Sequence, residues 1–390
     1  MITLDVLYLT NQLPWPPVSG GQVREWELLR RLRGRCGIHF ISVGESLDRD
    51  TAAARQMPLR LSSLTLAAST PDEAPPGSSY RVRVHYRRGY HHEVGRMIEV
   101  RRPDVIHVEG YFLMQHVPTT DVPVFVLAEN VEHTIEARLG DTPDRLIAAE
   151  RAALSRATAI GAVSEPDAVR LRQLVPGHGV AVVPNGVDGL SARRPRESAT
   201  PRLPPVAVYV ANYTWPPSAD GARNLLTNLW PGIHERVLSA RLLLVGPGMD
   251  DGLRRLVTET DGAAETGYVE DLEGVYADAD LVLCPLRFGG GSKLKMLEAL
   301  RRGLPIVAFP PCVDGIPLDD PGAVRVCGTD EAFVEAAAAL LTDPALRAEL
   351  ARRAEAAASS LPSWAQAAEL LLGCWAALTD RGADHSRPPC

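Results

Sequence analysis

The chain has 390 residues, 45% hydrophobic and 23% charged, with a formal net charge of −7. That length exceeds one compact core and calls for two domains. The acidic balance excludes the basic face of a nucleic-acid binder, no apolar run is long enough for an integral membrane segment, and six cysteines without a CxxC spacing imply neither zinc nor disulfides.

The start, MITLDVLYLT, lacks the features of a signal peptide, so a cytoplasmic protein is expected. Leu4–Thr10 is instead a first strand, followed by the loop NQLPWPPVSGG and an amphipathic helix, QVREWELLRRLRGR. Strands follow at IHFISVG, PDVIHVEG, VPVFVLAEN, ATAIGAVSE and VAVVPNG, with helical stretches such as LIAAERAALSRA and PDAVRLRQLV between several of them. Alternating β and α with near-continuous apolar strands predicts a parallel sheet covered on both faces. Asp188 to Pro205 is proline-rich and aperiodic, the composition of a linker. Beyond it the pattern restarts with VAVYVAN, the helical DGARNLLTNLWPGIHERV, RLLLVGPG, DLVLCPL, LPIVAFP and AVRVC, then helical, alanine-rich sequence.

The expected division is one Rossmann-like domain over 1–187, a linker over 188–205 and a second Rossmann-like domain over 206–362. A helix over 363–380 is expected to cross back to the first domain, with a flexible tail over 381–390. Such doubly wound sheets bind ligands at the carboxyl ends of their strands, which directs attention to a cleft between the halves.

One stretch of the second half, FGGGSKLKMLEAL, holds the only two lysines of the chain, Lys293 and Lys295, among 41 basic residues. A helix starting near Ser292 would bury Leu294, Leu297 and Leu300 and would put both lysines in its first turn. There the positive end of the macrodipole opposes them. A bound anion removes the conflict, with the glycines and the helix start supplying backbone donors. Glu298, a turn further on, could accept two ribose hydroxyls. The competing account is a solvated Lys295–Glu298 pair at i,i+3 after a flexible loop.

These segments resemble the family-four retaining glycosyltransferases of the GT-B fold. PPVSGG, with Gly20 and Gly21 before a helix carrying Arg24, is similar to that family's N-terminal glycine loop beside the donor diphosphate. AVSE and VVPNGVD resemble its run into the linker. TGYVEDLEGVYADADLVLCPL resembles its base-binding segment, which implies uracil, guanine or thymine near Tyr268, Val269 and Leu272. GGGSKLKMLEALRRGLPIVAF resembles its diphosphate and ribose segment, implying Gly290, Gly291, Ser292, Lys293 and Lys295 at the phosphates and Glu298 at the ribose. VEG and AENVEHTIEARL are similar to acceptor-side stretches of a subgroup of sugar transferases, implying acceptor-side roles for Tyr111, Glu129, Asn130 and His133. Two departures stand out: Gly290 replaces a glutamate that often contacts donor hydroxyls, and ANYTWPPSADG lacks the family's Arg and Lys. The first points to a deoxy, amino or otherwise unusual sugar; the second leaves the positive charge to Lys293, Lys295 and Arg287.

The resemblance implies a metal-independent transfer from a UDP-, GDP- or dTDP-sugar with retention of configuration and no cofactor. His107 and Glu109 end a strand at the carboxyl edge and share one face, which makes them candidate catalytic groups; a packed strand-end histidine is the alternative. Asp278 and Asp280 are spaced like a metal motif but suit a turn or cap better. Replacement of lysine by arginine suggests a high-GC genome, and since no amphipathic basic helix for docking on a membrane stands out, a small natural-product acceptor is expected, as in antibiotic biosynthesis. A glycolipid or cell-surface polysaccharide acceptor, a GT-B epimerase and a non-catalytic nucleotide-sugar-binding partner stay open, as does the oligomeric state. An NAD-dependent dehydrogenase fails, because no GxGxxG follows the first strand.

Overall fold

A computed structural model describes residues 4–43, 46–67, 71–76, 78–136, 142–188, 204–290 and 293–380. Most of the 188–205 linker, and the 381–390 tail, therefore lie outside the described residues. The chain forms two compact units, Met1–Asn185 with Trp364–Cys390, and Gly186–Ser363.

The first unit is built on seven parallel strands: β1 (Asp5–Thr10), β2 (Gly37–Val43), β3 (Ser63–Ala67), β4 (Val105–Glu109), β5 (Val124–Ala128), β6 (Ala159–Ala162) and β7 (Val180–Val182). Their order is β3-β2-β1-β4-β5-β6-β7, so the chain winds outward from β1 and then returns to its other side with β4. The reversal lies between β1 and β4, where Tyr8 pairs with His107 and Leu9 with Val108. At such a reversal the crossover loops diverge and leave a crevice at the strand ends. Every residue of β4 and β5 is buried, the expected state of central strands covered on both faces. The helix Trp364–Asp380 belongs to this unit and packs on the first helix, Gly20–Leu32, and on β4.

The second unit has six parallel strands: β8 (Val206–Val210), β9 (Arg241–Val245), β10 (Ala263–Gly267), β11 (Leu281–Cys284), β12 (Ile306–Ala308) and β13 (Arg325–Val326). The order β10-β9-β8-β11-β12-β13 reverses between β8 and β11, with Val208 beside Val282. The helical run before β9 is not uniform: α-helix Pro216–Asn224 passes through a π-turn, Leu225–Leu229, into α-helix Trp230–Arg236. The Trp230 amide reaches back five residues to the Leu225 carbonyl just before Pro231, whose ring has no amide to offer.

Candidate functional site

In the second unit the loop after β11 and the helix Leu294–Arg301 stand at the β8/β11 reversal. The helix begins two residues later than the sequence suggested. Lys293 is its N-cap and Lys295 its second residue, while Gly291 and Ser292 lie outside the described residues. Met296, Leu297, Ala299 and Leu300 form the buried face, and Leu294 is half-buried. Gly289 has φ +131°, and a Cβ there would lie 2.9 Å from Cη2 of Trp215, so the glycine lets the loop pass against the indole. Gly290 follows directly. The Lys293 amine donates to the Gly289 carbonyl at 3.4 Å and so ties the loop to the helix start.

Lys295 is the telling residue. Its Nζ is buried 4.8 Å from the centroid of the Tyr209 ring and has no hydrogen-bond partner among the described residues. The Lys295–Glu298 ion pair of the bland account is not formed. Burial pushes the lysine's pKa down, the mark of an amine kept from both water and carboxylate. Arg287, the third cation considered, is committed instead to Asp330 by bonds of 2.8 and 2.6 Å.

Glu298 accepts from the Tyr276 hydroxyl at 3.1 Å, and burial pushes its carboxyl up. Arg302 stacks 4.4 Å above the Tyr276 ring and donates to the Glu298 carbonyl at 3.0 Å, fixing the pair from behind. Tyr268, 49% exposed, and the half-buried Val269 and Leu272 occupy the loop between β10 and helix Glu273–Asp278. Asp280 accepts the Val206 amide at 3.0 Å, a linking role between strands.

In the first unit the β1/β4 reversal carries a compact polar centre. The Glu109 Oε1 accepts from the Tyr8 hydroxyl and, at 2.9 Å, from Nε2 of His107. His107 Nδ1 accepts from the Trp375 indole at 3.1 Å. Glu25, on the first helix, receives Thr10 Oγ1 at 2.9 Å and Gln12 Nε2 at 2.7 Å on its Oε1. Glu25 Oε2, Glu109 Oε2 and Arg24 Nε are buried without a partner. Burial pushes Glu25 well up, aided by the charge of Glu109. Burial also works to raise Glu109, but His107, Arg24 and the Tyr8 hydroxyl outweigh it and hold that carboxyl below its ordinary value. Glu129, just past β5, is pushed up to about 7 by burial and by Glu109.

Five of the expected site residues have defined partners in the fold. His107 has no exposure, and both ring nitrogens are engaged, Nε2 by Glu109 and Nδ1 by Trp375. Arg24 is also buried; it donates to Asn185 Oδ1 and the Val183 carbonyl, both at 2.8 Å, and so holds the segment after β7. Its position with Glu25, Leu28, Leu29 and Leu32 on one helical face is the signal that would have shown this. Tyr111 is buried with its hydroxyl 2.9 Å from Ser79 Oγ. His133 turns to Glu150, 2.7 Å away, which also accepts the Glu132 and His133 amides. Asn130 reaches Glu132 at 3.4 Å.

Gly20 and Gly21 open the first helix behind the Ser19 cap. A Cβ on Gly21 would lie 2.6 Å from Gln12 Nε2 and 3.3 Å from a Glu129 oxygen. An anion at this helix start would thus meet a carboxyl group. Tyr8, Glu25, Tyr276 and Trp375 are functional-site neighbours that the sequence did not single out. A glutamate on the apolar stripe of the first helix was the available clue to Glu25.

A family described as Glycosyltransferase Family 4 matches residues 18–189, and one described as Glycosyl transferases group 1 matches residues 204–343. The chain is a glycosyltransferase of the family-four type. No curated protein sequence matches this transferase. Among solved structures it is similar to sucrose-phosphate synthase from Thermosynechococcus elongatus, with TM-score 0.72 and 15% identity over 96% of this chain and 99% of that one. It is similar also to Anabaena HepE in complex with UDP-glucose, with TM-score 0.69 and 14% identity over 96% and 100%. A third is WaaG, a glycosyltransferase involved in lipopolysaccharide biosynthesis, with TM-score 0.65 and 15% identity over 98% and 100%. Together they establish a GT-B fold of two Rossmann-like parallel-sheet domains for the glycosyltransferase.

Proposed function

We propose that the glycosyltransferase moves a sugar from a nucleoside diphosphate sugar to a hydroxyl of a small-molecule acceptor, with retention of configuration and without a metal ion. The buried, unpartnered amine of Lys295 carries this reading. A desolvated ammonium beside a helix start is costly by itself and becomes favourable when a phosphate oxygen meets it. Lys295, Lys293 and the backbone around Gly290, Gly291 and Ser292 hold the diphosphate and stabilise the charge that grows on it as the glycosidic bond breaks. Glu298, steadied by Tyr276, takes the ribose diol. The base lies against Tyr268, Val269 and Leu272.

On the acceptor side Glu109 is the group suited to receive a hydrogen bond from the attacking hydroxyl. One of its oxygens is pinned by Tyr8 and His107, the other has no partner, and its surroundings keep it ionised. The leaving diphosphate takes the proton. Glu129 contributes to the same centre.

The test is thermal stabilisation by UDP, GDP, dTDP, ADP and NAD, since a ligand that binds the folded state raises its apparent stability by mass action. A shift with one nucleoside diphosphate names the base of the donor. A shift with NAD alone, or with none of the five, overturns the reading.

A further inference from the structure

The polar centre of the first unit contains one contact that comes from far along the chain. Trp375 lies in the helix Trp364–Asp380, more than two hundred residues beyond β4, yet its indole nitrogen stands 3.1 Å from Nδ1 of His107. We infer that Trp375 is a positioning residue: by fixing the proton of His107 on Nε2 it directs that N–H to Glu109 Oε1 and leaves Oε2 as the oxygen for the acceptor. This rests on the reading of Glu109 given above.

The argument is one of donors and acceptors. An indole N–H can only donate, so Nδ1 of His107 must be the lone-pair nitrogen, and the ring proton sits on Nε2. Nε2 is 2.9 Å from Glu109 Oε1 and therefore donates to it. The imidazole cannot turn over, because it is stacked between Tyr8, 4.2 Å away, and Phe125, 5.6 Å away, with the Trp375 ring edge-on at 5.3 Å. Without the indole the other tautomer becomes available, and it would aim a lone pair at a carboxylate oxygen. Glu109 would then lose one of its two donors.

The consequence depends on every titratable group that faces Glu109. His107 lies on its own strand, Tyr8 on β1, Arg24 and Glu25 on the first helix, and Glu129 past β5. Glu25 and Glu129 oppose ionisation of Glu109; the Nε2–H of His107 and the Tyr8 hydroxyl, which donate to it, and the charge of Arg24 support it. Removing the His107 donation tips this balance toward a protonated Glu109, whose hydroxyl no longer serves as an acceptor. The last helix thus acts on the chemistry through His107 and without touching substrate, since Trp375 is fully buried.

The experiment uses the full chain with 15N-labelled histidine and 13C-labelled glutamate carboxyls, the latter assigned with Glu109→Gln. In the wild type, long-range proton–nitrogen spectra should show His107 with its proton on Nε2; a proton on Nδ1 overturns the inference without any variant. In Trp375→Phe, which keeps an aromatic ring but removes the donor, the fixed tautomer should be lost. The Glu109 titration midpoint should also rise by about half a pH unit or more. A Trp375→Phe protein with the wild-type tautomer and an unmoved midpoint overturns it as well. Transfer activity of Glu109→Gln separates the two ideas: unimpaired transfer removes Glu109 from the acceptor site, while the link from Trp375 to His107 is judged by the spectra alone.

Discussion

Lys295 shows how far composition alone can reach. A chain whose other basic residues are all arginine keeps two lysines at this helix start, where each supplies a compact ammonium on a flexible stem. Lys295→Met should weaken binding of the stabilising nucleoside diphosphate by about 1–3 kcal/mol, measured by titration calorimetry. The same change should leave the unliganded protein as stable or more so, because an unpaired buried ammonium is gone. Glu298→Ala should weaken nucleoside binding by about 1–2 kcal/mol, with Tyr276→Phe costing less. Glu129 makes a pH prediction. Its carboxyl, at about 7 in the fold, is raised above the ordinary range, so its contribution is fully present below the unfolded value and is lost as pH rises through about 7. Thermal midpoints should therefore fall from pH 4.5 toward 7.5, and Glu129→Gln should flatten that slope by about 1–3 kcal/mol. The lysines and Glu298 stand out in the sequence because their chemistry is local, a charge at a helix start. The partners of Arg24, His107 and Tyr111 do not, because they depend on which face of a helix or strand turns inward and lie up to 268 positions away.

Elements were legible to the degree that their burial is written in apolar residues. β1, β4, β5, β8 and β11 announce themselves as nearly unbroken apolar runs. β3 and β10, SLTLA and AAETG, do not: both are edge strands, half-exposed along most of their length, and their pairing is carried by backbone bonds that leave no hydrophobic trace. The turns after the strands are held by glycine. Gly246 has φ +131° at the end of β9, and a Cβ there would lie 1.8 Å from the Ala211 carbonyl oxygen. Gly246→Ala should therefore cost about 3 kcal/mol or more in urea unfolding, by forcing the β8 and β9 loops apart. Gly289→Ala meets only an indole edge at 2.9 Å but shares the unfavourable φ, so a loss of about 1–3 kcal/mol is expected, together with weaker diphosphate binding.

At the scale of the whole molecule, the helix Trp364–Asp380 is the feature that joins chain ends into one unit. It contributes Trp364, Ala367, Leu371, Trp375 and Leu378 to the buried interior of the first unit. Ending the chain after Ser363 removes two tryptophans from that interior, at about 3–5 kcal/mol each, which rivals the total stability of a domain. Circular dichroism and thermal denaturation should show the first unit unfolded or greatly weakened and the transition of unit Gly186–Ser363 retained. The two-unit α/β architecture followed from strand and helix alternation. The indole of Trp375 over His107 did not, because no local pattern records a contact of that span.

That span has a temporal side. Protein synthesis runs in one direction, at about 5–20 residues per second, so the ribosome reaches Asn185 roughly 10–40 s before Trp375. During that interval every strand of the first unit has been made but its last helix has not, and the indole that meets His107 is still missing. The unit Gly186–Ser363, made second, is complete in sequence before the first unit is. The unit that begins first is thus finished last, and the whole of the second unit is made before the indole that bonds the histidine neighbour of Glu109.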